Sequence, residues 1–172
     1  MKSSTKPASE IEPLANVRID DEAWRDVVPD LEVCCLHALT AVFDATPEPL
    51  GQISMLFTDD AALRVLNATY RGQDKATNVL SFPSDPAGLP PGHPTFLGDI
   101  ALALETILGE ARDQGKTPVA HTHHMIVHGA LHLLGYDHSD DDDARAMEDL
   151  ERTILKALDY PDPYAVGVEA AV

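Results

Sequence analysis

Strand-like and helix-like patterns alternate along this chain and predict a single folded domain of mixed helices and strands. Three observations carry that expectation. The 172 residues, 44% of them hydrophobic, suffice for one sizeable core. The apolar stretches Gly51 to Phe57 and Leu97 to Leu104 read as strands, and a helical pattern follows each. There are no internal repeats, and no run approaches the roughly 18 apolar residues of a membrane span.

Residues 1–14 are polar and contain prolines, and are expected to form a disordered tail. The start also lacks the apolar core of a signal peptide, which points to the cytoplasm. Asn16 to Ile19 reads as a first short strand, and Asp30 to Phe43 as a core helix with Leu31, Cys35, Leu39 and Val42 at helical spacing. Thr46-Pro47-Glu48-Pro49 ends that helix. After the Gly51 to Phe57 strand, Thr58 is the expected N-cap of a helix reaching about Thr69, with acids in its first turn. Tyr70 to Pro83 opens as a polar loop holding Arg71 and Lys75 and closes as a short strand. Asp85 to Thr95, rich in proline and glycine, is an irregular excursion carrying His93, and it has the composition of a flap. Leu97 to Leu104 is the strand most clearly buried on both faces, with a helix from about Glu105 to Gln114 after it. Thr117-Pro118 supplies a cap and a first-turn proline for a long helix to Leu134. Ser139 caps a last helix whose apolar stripe is Met147, Leu150, Ile154, Leu155 and Leu158, with Asp140 to Asp143 complementing its dipole. Pro161 and Pro163 end it, so 15–160 is the expected domain and 161–172 a loose tail.

Charge and cysteine usage narrow the partners. A net charge of −17, from 29 acidic against 12 basic residues, disfavours non-specific binding to nucleic acid or anionic membrane. Cys34 and Cys35 are adjacent on a helix and do not readily pair, so they fit thiols in a reducing compartment.

The segment His128-Gly129-Ala130-Leu131-His132-Leu133-Leu134-Gly135-Tyr136-Asp137-His138 carries the chemistry. A four-residue step on a helix returns His132 to the face of His128 one turn along. Gly135 is the residue best able to adopt φ > 0 and stop the helix, letting the chain fold back to present His138. Burying three imidazoles in an apolar helix is costly unless they are liganded. Three imidazoles with a fourth position left to water describe a catalytic zinc site better than a structural one. His121 and His124 fall on the same helix stripe, whereas His123 points away. His124 has two readings, a residue lining the site or shuttling protons, and a hydrogen-bonded helix histidine. Asp137 is a candidate acceptor for an imidazole N–H or handler of the metal-bound water. The histidine spacing coincides with H-E-x-x-H-x-x-G-x-x-H of metzincin proteases, but Gly129 stands at the position of their general-base glutamate. Met147 lies in the last helix rather than in a Met-turn, so peptide hydrolysis by that route is poorly supported.

The same segment resembles the signature H-G-x-L-H-L-x-G-Y-D-H of the YbeY-type endoribonucleases, the bacterial rRNA maturation factors. The resemblance extends to Tyr70 to Pro83, to Leu97-Gly98-Asp99-Ile100 and to His124, and covers most of the chain. It implies an α/β fold with a small, mostly parallel sheet flanked by helices, zinc-hydrolase-like, with its metal site on a long helix and the following turn. It further implies one zinc held by His128, His132 and His138, and metal-dependent cleavage of single-stranded RNA. The implied role is maturation of ribosomal RNA, particularly at the small-subunit 3′ end, together with ribosome quality control. The family's functional arginine maps onto Arg71, and Lys75 is the companion candidate for holding the RNA backbone.

The expected chemistry is activation of water, or polarisation of the phosphate, by zinc, with Arg71 neutralising charge on the non-bridging oxygens. The nucleophile, water or the ribose 2′-OH, stays open, with Asp137 and His124 as candidates for proton handling. RNA affinity normally rests on Lys and Arg, so the acidic balance disfavours DNA and membrane, and the partners that the resemblance implies, the small ribosomal subunit and its proteins, are expected to supply affinity and deliver the RNA. It also sustains a second reading, a zinc-stabilised ribosome-assembly factor with little catalysis of its own. A zinc amidase or peptidase is a third.

Overall fold

The segment that reads as the most buried strand becomes the centre of the sheet. In the computed structural model, which describes residues 14–85 and 95–165, the elements are β1 (Ala15–Ile19), α1 (Ala23–Val27), α2 (Leu31–Ala45), β2 (Gln52–Thr58), α3 (Asp60–Arg71), β3 (Val79–Pro83), β4 (Phe96–Ala103), α4 (Leu104–Asp113), α5 (Pro118–Leu133) and α6 (Asp141–Ala157). The expected disorder before residue 14, the excursion over 86–94 with His93, and the segment beyond 165 lie outside the described residues.

The strands are ordered β1-β2-β4-β3. β1 pairs with β2 and β2 with β4 in parallel, whereas β3 pairs with β4 antiparallel. The sheet is therefore mixed, and the expectation of a mostly parallel sheet is corrected. Its physical reason lies in the connections. The parallel pairs are joined through helices, whereas β3 ends at Pro83 and β4 starts at Phe96, and an antiparallel return over so few residues needs no crossover helix. Gly98 permits the close pairing at the end of this ladder. It has φ +141°, and a Cβ there would lie 2.2 Å from Phe82 O.

Two apolar clusters sandwich the sheet. Ile53, Met55, Phe57, Ile100 and Leu102 face α2 and α5, while Leu80, Ala101 and Ala103 pack with Leu63 of α3 on the other side. Trp24 anchors the unexpected short helix α1. It is fully buried, donates through Nε1 to Thr58 O at 2.8 Å and meets Phe57 edge-on at 5.1 Å. Two caps fall one residue later than expected. Asp59 rather than Thr58 caps α3, accepting from Ala62 N, because Thr58 is spent as the last ladder residue of β2. Asp140 rather than Ser139 caps α6, with Asp141, Asp142 and Asp143 in its first turn. Cys34 and Cys35 are free thiols, and burial pushes the Cys35 thiol strongly up.

Residues 161–165, the start of the segment expected as a tail, make several contacts. Lys116 Nζ donates to Pro163 O at 2.8 Å, Arg152 reaches Asp162 at 3.3 Å, and Arg152 lies 5.2 Å over the Tyr164 ring. Together with the Tyr164 ring against His124 of α5, these contacts hold the segment as a strap across α5 and α6.

Candidate metal centre and cleft

α5 starts at a Thr117 cap, whose side chain accepts from Ala120 N at 3.1 Å, and runs through the interior of the protein. Its sheet-facing side is cut back at Gly129, where a Cβ would lie 3.1 Å from both Ile100 and Ser81. Ser81 Oγ donates to Gly129 O at 3.1 Å, so helix and edge strand are also bonded there. The residue that replaces the metzincin glutamate thus faces the sheet, where a carboxylate has no room.

At the other end Gly135 adopts φ +96°, Gly135 N donates to His132 O and Tyr136 N donates to Leu131 O. This paired pattern closes the helix and turns the chain back. His138 arrives beside the two helical imidazoles, with ring centroids 5.0 Å from His132 and 5.9 Å from His128. His128 Nε2 and His132 Nε2 are 3.1 Å apart, and one ring nitrogen from each of the three histidines falls within 4.8 Å of the others. Tetrahedral Zn–N bonds place neighbouring ligand nitrogens about 3.3 Å apart, so the donor set and its spacing fit a metal ion. His132 is held below the usual imidazole range by burial and by the neighbouring His128 and His138, which keeps it in the neutral form that ligates.

Behind this group lies a carboxylate that sequence reasoning did not single out. Glu151 of α6 is fully buried, with Oε1 2.6 Å from His128 Nδ1 and Oε2 2.8 Å from His124 Nε2. Burial alone would raise its pKa, but hydrogen bonds from His124, His128 and Tyr164 override it and hold the carboxyl at about 2. An ionised acceptor on Nδ1 fixes the His128 tautomer and leaves Nε2 free to ligate. His124, His128 and Glu151 form a second group close enough to hold an ion, but their short mutual hydrogen bonds already account for them.

The remaining expected residues separate clearly. His124 is buried one layer behind the ligands, on Glu151, and not among the residues that line the cleft. Its Nδ1 and that of His121 are buried without partners among the described residues, while the Nε2 of each ring faces a carboxylate. Asp137 is exposed at the cleft and accepts from His138 N at 2.8 Å, while the acceptor beside His128 Nδ1 is Glu151. His123 is turned to Val119 O and Tyr160 and is buried.

The cleft in front of the three histidines has a volume of about 720 Å³. Arg71, Lys75 and Ser81 line it together with His128, His132 and His138. Arg71, the last residue of α3, donates through Nη2 to Ser81 O at 2.7 Å and lies 5.8 Å from the Phe82 ring centre. Gly72, at φ +67°, ends the helix there and starts the loop. The acid of that loop, Asp74, is paired with Arg64 at 2.7 Å, while Arg71 and Lys75 remain on the cleft wall. Asn78 ties the loop to the helices. It donates to Glu110, whose Oε2 is 2.7 Å from His121 Nε2 of α5.

Fold and cleft together define a small α/β protein with a candidate three-histidine metal centre opposite two cations. The family model described as Endoribonuclease YbeY matches residues 17–159. The chain belongs to that family. It is 47% identical to the endoribonuclease YbeY of Paramagnetospirillum magneticum over 153 residues, covering 86% of this chain and 93% of the relative. It is 52% identical to that of a Chelativorans species over 130 residues, 75% and 80% of the two chains. The fold is also similar to a solution structure from Thermotoga maritima, with TM-score 0.54, 19% identity and coverage of 88% and 99%.

Proposed function

We propose that the protein is a zinc-dependent, single-strand-specific endoribonuclease of rRNA maturation, with residues 15–160 as its hydrolase domain. The observation that carries the reading is the convergence of His128, His132 and His138 across one open cleft from Arg71. Family membership supplies the substrate class, since the relatives are named endoribonucleases. An all-imidazole set with an open position suits zinc. Zinc held there would supply Lewis-acid chemistry toward a phosphodiester.

The chain's own side chains do the rest. Arg71 presents its guanidinium to the phosphate and offsets charge developing on the non-bridging oxygens. Lys75 holds the neighbouring backbone by its charge. Asp137 stands at the cleft mouth as the proton-handling group, and His124 acts through Glu151. Acting at the small-subunit rRNA 3′ end and in ribosome quality control, in the cytoplasm, fits a chain too acidic to gather RNA unaided, with ribosomal proteins of the small subunit supplying affinity. No helix of the described residues is long and apolar enough to cross a membrane.

The deciding experiment is cleavage of single-stranded RNA by protein of known zinc content. Arg71→Ala is expected to keep its zinc and lose about 10²–10³ in rate, while His132→Ala loses both metal and cleavage. Full activity in Arg71→Ala removes that residue from the mechanism. The net charge of −17 favours one further reading, a zinc-stabilised ribosome-assembly factor. A zinc-loaded wild type that cuts no naked RNA would select it.

A further inference from the structure

The strap formed by residues 160–165 carries a hydroxyl into the support of the metal centre. Tyr164 donates its O–H to Glu151 Oε2, the same oxygen that faces His124, while Oε1 faces His128. The carboxylate is fully buried, so bulk solvent does not orient it. Three donors around one planar group fix both its position and the rotation of its plane. Rotation matters because Oε1 must point along the Nδ1–H of His128 for that ring to aim Nε2 at the cleft. The tyrosine is itself held from several sides. Its backbone N donates to Asp162 at 2.8 Å, Arg152 stacks over its ring, and the ring meets His124 edge-on at 5.4 Å. This is more restraint than a merely packed surface tyrosine receives.

We propose that Tyr164 is a positioning residue of the metal centre. Its hydroxyl locks the Glu151 carboxylate, which in turn orients His128 as a ligand. Tyr164 lies outside the 17–159 segment matched by the family model, so the strap adds a component to the site that the matched segment lacks. The inference rests on the proposed zinc-binding reading of His128, His132 and His138.

The test is zinc affinity of the full chain, measured by competition with a chelator, beside the thermal midpoint of the metal-free protein. Tyr164→Phe keeps the ring, its contact with Arg152 and its packing on His124, and removes only the hydroxyl. It is expected to weaken zinc binding about three- to tenfold, and Glu151→Gln about 10- to 100-fold, as is typical for groups supporting a ligand. Tyr160→Phe is the matched control, because that hydroxyl faces His123 at 3.5 Å and not Glu151. Its zinc affinity is expected to equal wild type. Wild-type affinity in Tyr164→Phe overturns the proposal, as does weakening shared equally by Tyr160→Phe. A wild-type chain that takes up no zinc would instead remove the metal reading itself, and the proposal with it.

Discussion

The guanidinium of Arg71 is anchored on Ser81 O and rests near Phe82, so its planar fork is held in place before any phosphate arrives. A lysine there would keep the charge but lose the fork and the stacking. Arg71→Lys is therefore expected to recover only a minor part of the cleavage lost in Arg71→Ala, read as kcat at saturating RNA. The three metal-binding candidates were legible because their spacing is local, with one helical turn and one glycine turn bringing them together. Glu151 was not, since it joins the group from another helix, 23 residues after His128 and 27 after His124. A signal was nevertheless there. Glu151 sits one turn after Met147 and one turn before Leu155, a charged residue on the buried stripe of α6. A carboxylate in that place needs a partner, and the histidines of α5 were the available donors.

At the scale of elements, α5 must sit close to the sheet for its histidines to open into the cleft beneath β3. Gly129 sets that distance. Gly129→Ala is expected to destabilise the protein by about 1–3 kcal/mol, because Ile100 and Ser81 have to give way. The shift would also move His128 relative to Arg71, so chemical denaturation and RNA cleavage are expected to worsen together. The strands and long helices could be read from apolar periodicity and cap chemistry, both of which act over a few residues. Strand order and the direction of β3 could not, as they depend on how the chain returns to the sheet. The short helix α1 escaped for a related reason. Its five residues have no periodicity to detect, and it is fixed by Trp24 reaching Thr58, 34 positions away.

For the whole molecule, acid is the expected weakness. Burial holds His121 and His123 below the ordinary imidazole pKa, although Glu110 raises the first and a bond to Val119 the second. In the unfolded chain both take up protons near pH 6.5, while in the folded protein they resist. Stability from these two groups is therefore fully present above about pH 6.5 and is lost as pH falls through that value toward their folded pKa values. Urea midpoints are expected to drop between pH 7 and pH 5.5, and His123→Phe is expected to flatten that slope. Glu151 adds to the same trend at lower pH. With its carboxyl at about 2, its contribution is present above its ordinary value near 4.5 and erodes as pH falls toward 2.

The way the metal centre is supported also sets an order of events during synthesis. The three imidazoles are complete by residue 138, the carboxylate follows at 151 and the hydroxyl that holds it only at 164, so the parts of the proposed site are synthesised in that order. A chain cut short between those points would carry the proposed ligands without the groups that orient them. On the proposed reading, a chain lacking the strap would hold an ion less tightly than the full chain.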